Sequence, residues 1–513
     1  MSTQSHHQQL PQQSRHVRES WVRRQDANGE LFWFRTVVPA EGIAASSSLA
    51  FSLRLEAVAK AEAIMNTEAL PRKDDRPRAA LAQEARSVTT ELVRTAADST
   101  AFFPLANKPM SRADKHELVR LASQDFPTKY AHFVVCTAEL TGAMATEVLK
   151  LSIHRRYAVE ESLEHLACVP PQHLRSTMHV RFFDEHGIDA GGIQREWLQL
   201  LNEEMVDPAL ALFVRTNPQT QTYYFNPHVR HFDATKNDEY LFHYYATGRL
   251  MGRCLLEGGV WGFHLAAPLL KLILGQPLQL TDIEGFDPAL FRSLTWMLEH
   301  DGAESLGLTF TTCECTQDGR VVEEELIPGG ANIEVNDSNK REYVERQVQY
   351  LLVERVAPQM YAFLKGVYQV LPHNLLALFH VDELDFVLCG TDELNVDDWE
   401  RHTKASSCLT GSEVWEWFFR TLREMPSDYR RRLLQFATGA SRVPVGGFKN
   451  LTSHDGQVCP FTLKAIPYDP DQPFIRAHAC FNRIDLPMFP TEKDLKMMVY
   501  MVLNTDLYGF SID

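Results

Sequence analysis

Apolar residues recur at helical spacing in several stretches of the chain, and the clearest opens near Gly192. There Ile193, Trp197, Leu200, Leu201 and Met205 share one face while Gln194, Glu203 and Glu204 point away, the pattern of an amphipathic core helix. The run before it, 184–192, brings carboxylates and an imidazole together. Its glycines predict a tight loop whose acids complement the positive end of the following helix. A second stripe, Val414, Trp415, Phe418, Phe419 and Leu422, follows the good N-cap Ser412 and starts a separate core. Residues 427–436 read as another helix and 458–466 as short strands. Thr491-x-x-Asp494 opens a last helix that buries Leu495, Met498, Val499 and Val502. Further forward, helices are predicted over 115–123 and 130–151. Ala/Leu-rich helical stretches alternate over 47–98 about a polar break at 71–78. Residues 20–38 read as a hairpin, because Asn28-Gly29 is a two-residue turn signal between aromatic and β-branched runs.

These stretches divide the chain. Residues 1–19 are low in complexity and read as a disordered tail. Residues 20–111 hold the hairpin and the Ala/Leu-rich region, and no recruiting module is recognisable there. Longer mixed helices from 112 to 402 make a large unit. The polar, breaker-rich TKASSCLTGS at 403–412 reads as a hinge, and 413–513 as a smaller unit with its own core.

Composition narrows the class. With 44% apolar and 23% charged residues the chain is a folded, water-soluble one, which excludes wholesale disorder and a minimal disulfide scaffold. A formal charge of −16 makes its surface a poor counterion for a phosphate backbone, so no nucleic-acid partner is expected. The longest apolar region, 254–274, is interrupted by Glu257, His264, Lys271 and a Gly258-Gly259 pair and falls short of a membrane span. Nine irregularly spaced cysteines form no disulfide framework, which points to a reducing home, cytoplasm or nucleus. Cys313 and Cys315 have no second pair at zinc-site spacing and read as part of a strand pair. Neither a metal nor a cofactor is expected.

The candidate chemistry sits near the C-terminus, in Phe474–Pro487. If this run is extended, positions 478 and 480 project to one side, bringing His478, with Asn482 or Arg483 nearby, toward Cys480. Cationic or hydrogen-bonding neighbours favour thiolate, the nucleophilic form. An unperturbed thiol, with a pKa of about 8.5, is only slightly ionised at neutral pH.

The run AHACFNRIDLP resembles the active-site signature of the HECT-type ubiquitin ligases, His-Thr-Cys-Phe-Asn-x-Leu-x-Leu-Pro, with Cys480 on the thioester-forming cysteine. TGASRVPVGGF at 438–448 is similar to the family's TGTSRVP-x-x-GF, and FFDEHGIDAGGIQREW at 182–197 to its F-x-x-E-x-G-x-D-x-GG-x-x-REW block. RYAVEES at 156–162, Leu326-Ile327-Pro328-Gly329-Gly330, Asn339-Lys340-Arg341-Glu342-Tyr343-Val344 and residues 383–390 match in the same order.

The resemblance implies an α+β, bilobal catalytic domain. Its large, mostly helical N-lobe receives a ubiquitin-charged conjugating enzyme, and its small α/β C-lobe bears the thiol. It implies transthiolation of ubiquitin onto Cys480 and transfer to a substrate lysine, with Asp485 and the C-terminal Asp513 as candidate carboxylates for the amine and Phe510 as a tail anchor. Leu294, Trp296 and Phe310 lie in the subdomain that matches the conjugating-enzyme surface. Two positions depart from the pattern. Ala479 replaces the usual threonine, and Gln221 stands where members with a noncovalent ubiquitin exosite carry tyrosine. A non-catalytic scaffold and a cysteine hydrolase compete with this reading. The hydrolase is disfavoured because such enzymes commonly seat their thiol at a helix start, whereas the last helix is expected only near Thr491.

Overall fold

Buried apolar side chains gather into two large cores, one drawn from residues between Leu81 and Cys389, the other from residues between Leu394 and Leu503. The computed structural model describes residues 20–25, 31–36, 50–57, 76–86, 88–94, 112–142, 148–183, 192–210, 212–216, 221–228, 239–315, 321–391, 394–440, 442–451 and 458–504. The expected tail at 1–19, the acidic loop at 184–191, Phe510 and Asp513 lie outside the described residues.

Strands β1 (Ser20–Gln25) and β2 (Leu31–Thr36) pair antiparallel as the expected hairpin, with Gln25 opposite Leu31, a register that differs from the one a two-residue turn at Asn28-Gly29 would set; residues 26–30 lie outside the described residues. They are followed by β3 (Ala50–Ala57), α1 (Arg76–Arg86), β4 (Val88–Arg94), α2 (Arg112–Ala122) and α3 (Phe126–Gly142). β5 (Val148–Ile153) lies parallel to β6 (Thr177–Phe182), with α4 (Ala158–Cys168) as the crossover. Then come α5 (Gly192–Met205), β7 (Phe213–Arg215), β8 (Thr222–Phe225), α6 (Glu239–Glu257), β9 (His264–Leu265), α7 (Ala267–Leu274), β10 (Leu278–Gln279) and α8 (Pro288–Glu299). The hairpin β11 (Thr311–Cys315) and β12 (Val321–Glu325) precedes α9 (Lys340–Leu352), α10 (Ala357–Val370) and α11 (Val381–Cys389).

The spine of this first unit is the α6–α10 contact, where side chains are absent. A Cβ on Gly248 would meet the Phe363 carbonyl oxygen at 2.0 Å, and one on Gly366 the Tyr245 carbonyl oxygen at 2.2 Å, so only glycine lets the backbones approach this closely. α5 packs as its periodicity predicts. Trp197, Leu201 and Met205 are buried, Ile193 and Leu200 are half-buried, and the Trp197 indole donates to Ser162 Oγ on α4 at 2.7 Å.

In the second unit α12 (Val396–Arg401), β13 (Lys404–Ala405), α13 (Glu413–Glu424) and α14 (Ser427–Thr438) precede β14 (Thr462–Ile466), β15 (Arg476–His478), β16 (Arg483–Pro487) and α15 (Glu492–Asn504). The sheet order is β13-β14-β16-β15. It is parallel except for the β15–β16 pair. Ser412 caps α13, accepting from the Trp415 amide at 3.3 Å, and Thr491 caps α15, accepting from the Asp494 amide at 3.2 Å. The result is an α+β fold with two cores.

Three expectations need correction. Residues 47–98 are not mainly helical. β3 pairs with β4, and β10 adds to its other edge with Leu278 opposite Phe51. Phe51, Leu53 and Leu55 alternate with polar residues, a period of two that Ala/Leu content masks. The helix expected over 130–151 stops at Gly142, and Leu151 and Ile153 are the inward residues of β5. Most consequentially, 403–412 is no hinge. β13 pairs with β14, Leu409 is fully buried, and Trp399 stacks on Phe448 at 4.6 Å within the second core. The chain passes between the cores at Gly390–Leu394 instead, just after the last first-core residue, Cys389. Polar composition made the former stretch look like a linker, although its backbone completes a sheet.

A fragment starting at Thr391 therefore unfolds cooperatively in urea. One starting at Glu413, deprived of Trp399 and Leu409, loses about 3–5 kcal/mol. Equal midpoints would return the boundary to 403–412.

Candidate active site

β15 ends at His478 because Ala479–Phe481 tighten into one 3₁₀ turn, after which Asn482 takes φ 47° and ψ 44°. Asn482 is the only non-glycine residue with positive φ among the described residues, and asparagine is one of the few side chains that tolerate that conformation. The backbone thus leaves the strand before Cys480, so the expected same-side alternation of 478 and 480 does not hold. Cys480 lies in a turn between two antiparallel strands.

Polar bonds brace this turn. The Asn482 amide donates to the Ala479 carbonyl at 3.2 Å, the Thr462 amide to the Asn482 carbonyl at 2.8 Å, and Asn482 Nδ2 to the Cys459 carbonyl at 2.7 Å. The Cys459 thiol also donates to the Phe481 carbonyl at 3.5 Å. A further hold comes from the first unit. Arg195 of α5 aims Nη1 at three acceptors: Asn482 Oδ1 at 2.8 Å, the Ala479 carbonyl at 3.2 Å and the Thr438 carbonyl, at the C-terminal end of α14, at 2.8 Å. Hydrogen bonds from a charged donor are worth about 1.5–3 kcal/mol each, against about 1 for a neutral pair, and the two protons of Nη1 are shared among these three acceptors, so the guanidinium grips the turn more firmly than a neutral donor in its place would. Neither Cys459 nor Arg195 is singled out by the sequence as a site residue. Arg195 sits inside the REW block quoted above, and Cys459 carried no signal of its own.

His478 and Asp485 do meet. His478 Nε2 lies 3.1 Å from Asp485 Oδ2, and Arg483 Nε lies 2.9 Å from Oδ1, close enough for charge attraction. Arg476 stands opposite Asp485 in the β15–β16 register. Asp485 is buried, and its oxygens face the His478 imidazole and the Arg483 guanidinium of its own sheet. Phe481, beside Cys480, is 57% exposed. Of the three residues expected at a partner surface, Leu294 and Phe310 are buried in the first core and only Trp296 is exposed, stacked on His300 at 4.7 Å. Apolar spacing alone could not separate Leu294 from Trp296, because both lie on α8, and Phe310 lies just before β11. Gln221 is exposed at the cleft described next.

That cleft, about 340 Å³, runs between the units and is lined by Arg195, Asn202, Tyr223, His264, Thr438 and Arg442, among others. At its floor His264 Nδ1 lies 2.9 Å from Asp385, while Arg442 Nη1 approaches His264 Nε2 at 3.4 Å and donates to the Cys389 carbonyl at 3.3 Å. The ligand atoms of His264, Asp385 and Cys389 lie within 4.8 Å of one another, but the guanidinium among them repels a cation. Burial holds the Cys389 thiol above its ordinary value, partly offset by a hydrogen bond with His264, and burial likewise pushes the Cys254 thiol up. Gly390 (φ 65°) closes the seam, since a Cβ there would lie 2.3 Å from the Val443 carbonyl oxygen.

Replacing Asn482 with Ala removes the Nδ2 bond to the Cys459 carbonyl and one of the acceptors of Arg195. The second unit should lose about 1–3 kcal/mol, read as a lower urea midpoint, and Asn482→Gly should do no better, although it suits the backbone. An unchanged midpoint would mean that the turn stands without the amide.

Residues 199–513 match the family model described as HECT-domain (ubiquitin-transferase). The chain is 37% identical over 344 residues to the E3 ubiquitin-protein ligase Smurf1 of Drosophila melanogaster, covering 67% of this chain and 32% of that protein. It is 35% identical over 361 residues to the E3 ubiquitin-protein ligase RSP5 of Chaetomium thermophilum, covering 70% and 43%. With the E3 ubiquitin-protein ligase TOM1-like of Neurospora crassa it shares 34% over 366 residues, 71% of this chain and 9% of that one. The chain thus spans less than half the length of these relatives. The match of 199–513, which takes in most of the first core, the whole of the second and the braced Cys480 turn, makes this chain a member of the HECT-domain (ubiquitin-transferase) family.

Proposed function

We propose that the chain is a HECT-type ubiquitin ligase, and the observation that carries this reading is the family match across both cores with Cys480 at the signature position. The Cys480 thiolate attacks the carbonyl at the C-terminus of ubiquitin, held as a thioester on a conjugating enzyme, and that enzyme's cysteine leaves as thiolate. A substrate lysine, as neutral amine, then attacks the new thioester, the Cys480 thiolate departs, and the amine's proton passes to a base. Exchange of one thioester for another is nearly balanced, so the first step needs chiefly a reachable thiolate and alignment. The conjugating enzyme docks on the first unit around exposed Trp296.

With Asp485 engaged by His478 and Arg483, the C-terminal Asp513 is the better candidate to receive or orient the lysine proton, and Phe510 anchors the tail that carries it. Substrates are proteins with reachable lysines, and the place of work is the reducing cytoplasm or nucleus. Because one thiol must serve donor and acceptor in turn, the second unit swings about Gly390–Leu394.

Incubation with activating enzyme, conjugating enzyme, ATP and ubiquitin should give a thiol-reducible adduct that Cys480→Ala abolishes. An adduct that persists in that variant would sink the assignment, and ATP-independent release of ubiquitin from a probe would favour a hydrolase. Iodoacetamide at neutral pH should leave Cys254 and Cys389 unmodified in the folded chain, because burial raises both thiols and thins their thiolate. Stiffening 391–394 with prolines should slow transfer more than it lowers stability.

A further inference from the structure

We propose that Arg195 is a positioning residue for the second step of transfer, the attack of lysine on the Cys480 thioester. This rests on the ligase reading above and adds to it a residue of the first unit that acts on the reactive turn of the second.

Three observations carry it. First, Arg195 lies on α5, fixed in the first core by buried Trp197 and its bond to Ser162, yet the three acceptors of its Nη1 named above all belong to the second unit. Second, two of them flank the nucleophile in sequence, the Ala479 carbonyl before it and the Asn482 side chain after it, so the grip spans the turn that holds Cys480. Third, the remaining acceptor, the Thr438 carbonyl, ends α14. There Gly439 takes φ 76°, and the exposed carbonyls carry the negative end of the helix dipole that a guanidinium complements. One nitrogen therefore ties the turn to α14 and both to α5.

The choice of step follows from what else aligns the reactants. In charging, a folded conjugating enzyme brings an extended surface of its own that can orient its thioester. In discharge the incoming group is one lysine amine, and misalignment by about 1 Å costs on the order of a hundredfold. A turn held from both units supplies that alignment, and it does so only while the units are docked as they are here.

The test measures single-turnover charging of Cys480 and, separately, discharge of the isolated adduct to free lysine and to a lysine-bearing peptide. Arg195→Ala should slow discharge tenfold or more and charging less than threefold. Since all three acceptors converge on one nitrogen, the three-donor ammonium of Arg195→Lys should restore discharge to within about threefold. The Arg195→Ala Asn482→Ala double variant should be no slower than the slower single variant.

Equal slowing of both steps, or a lower thermal midpoint that accounts for the loss, would mean that Arg195 merely holds the fold together. Slower charging with normal discharge, or independent effects of the two residues, would overturn the assignment as well. A wild-type chain that never charges would refute the ligase reading, and this inference with it. Normal charging and discharge in Arg195→Ala would refute this inference alone.

Discussion

Where α6 and α10 cross, Gly248, Gly252 and Gly366 remove the side chains that would hold the two helices apart, and the backbones themselves become the packing surface. The rest of the first unit is referred to that contact. α6 carries Arg249, whose Nη1 donates to the carbonyls of Leu166, Ala167 and Val169 and so satisfies the end of α4. One turn on, Arg253 does the same for Leu174 and Ser176. α4 holds Trp197 through Ser162, Trp197 holds α5, and α5 presents Arg195 to the other unit. A shift of the helix crossing would therefore be felt at the turn carrying Cys480, although no residue of α6 or α10 is among the bonds that brace it.

The two units are joined in a different manner from the way each is built. Within each, stacked and edge-on rings such as Trp399 with Phe448 and Phe461 exclude water, and separating them would expose apolar surface at a substantial cost. Across the seam the named contacts are polar: Arg195 with three oxygens, and Arg442 with His264 and the Cys389 carbonyl. Such bonds exchange for bonds to water at a small net difference, the balance expected of an interface made to open and close.

Much of this was legible from residues alone, and the failures have physical causes. The α5 stripe, the caps Ser412 and Thr491 and the pairing of residues 20–25 with 31–36 rest on local signals, and each is present in the fold. The hinge was misplaced because composition reports polarity, whereas β13 is recruited by backbone pairing with a strand almost sixty residues downstream. The engagement of Asp485 is not legible in the sequence, because His478 and Asp485 become neighbours only once two strands pair. Leu294 could not be told from Trp296 on the same helix, since amphipathicity says which face is apolar but not whether anything covers it. Arg195 and Asn482 are 287 positions apart, beyond the reach of any periodicity.

The crossing from Gly390 to Leu394 spans four Cα-to-Cα steps, and fully stretched it reaches about 14 Å. Whenever the polar grips let go, the second unit stays leashed beside the first, so its thiol sweeps a short arc instead of diffusing away. On so short a leash, re-docking is an intramolecular event at an effective concentration of order millimolar or above, and even a handful of weak bonds can close the seam again. Lengthening the leash would loosen that return without touching a single contact in either core.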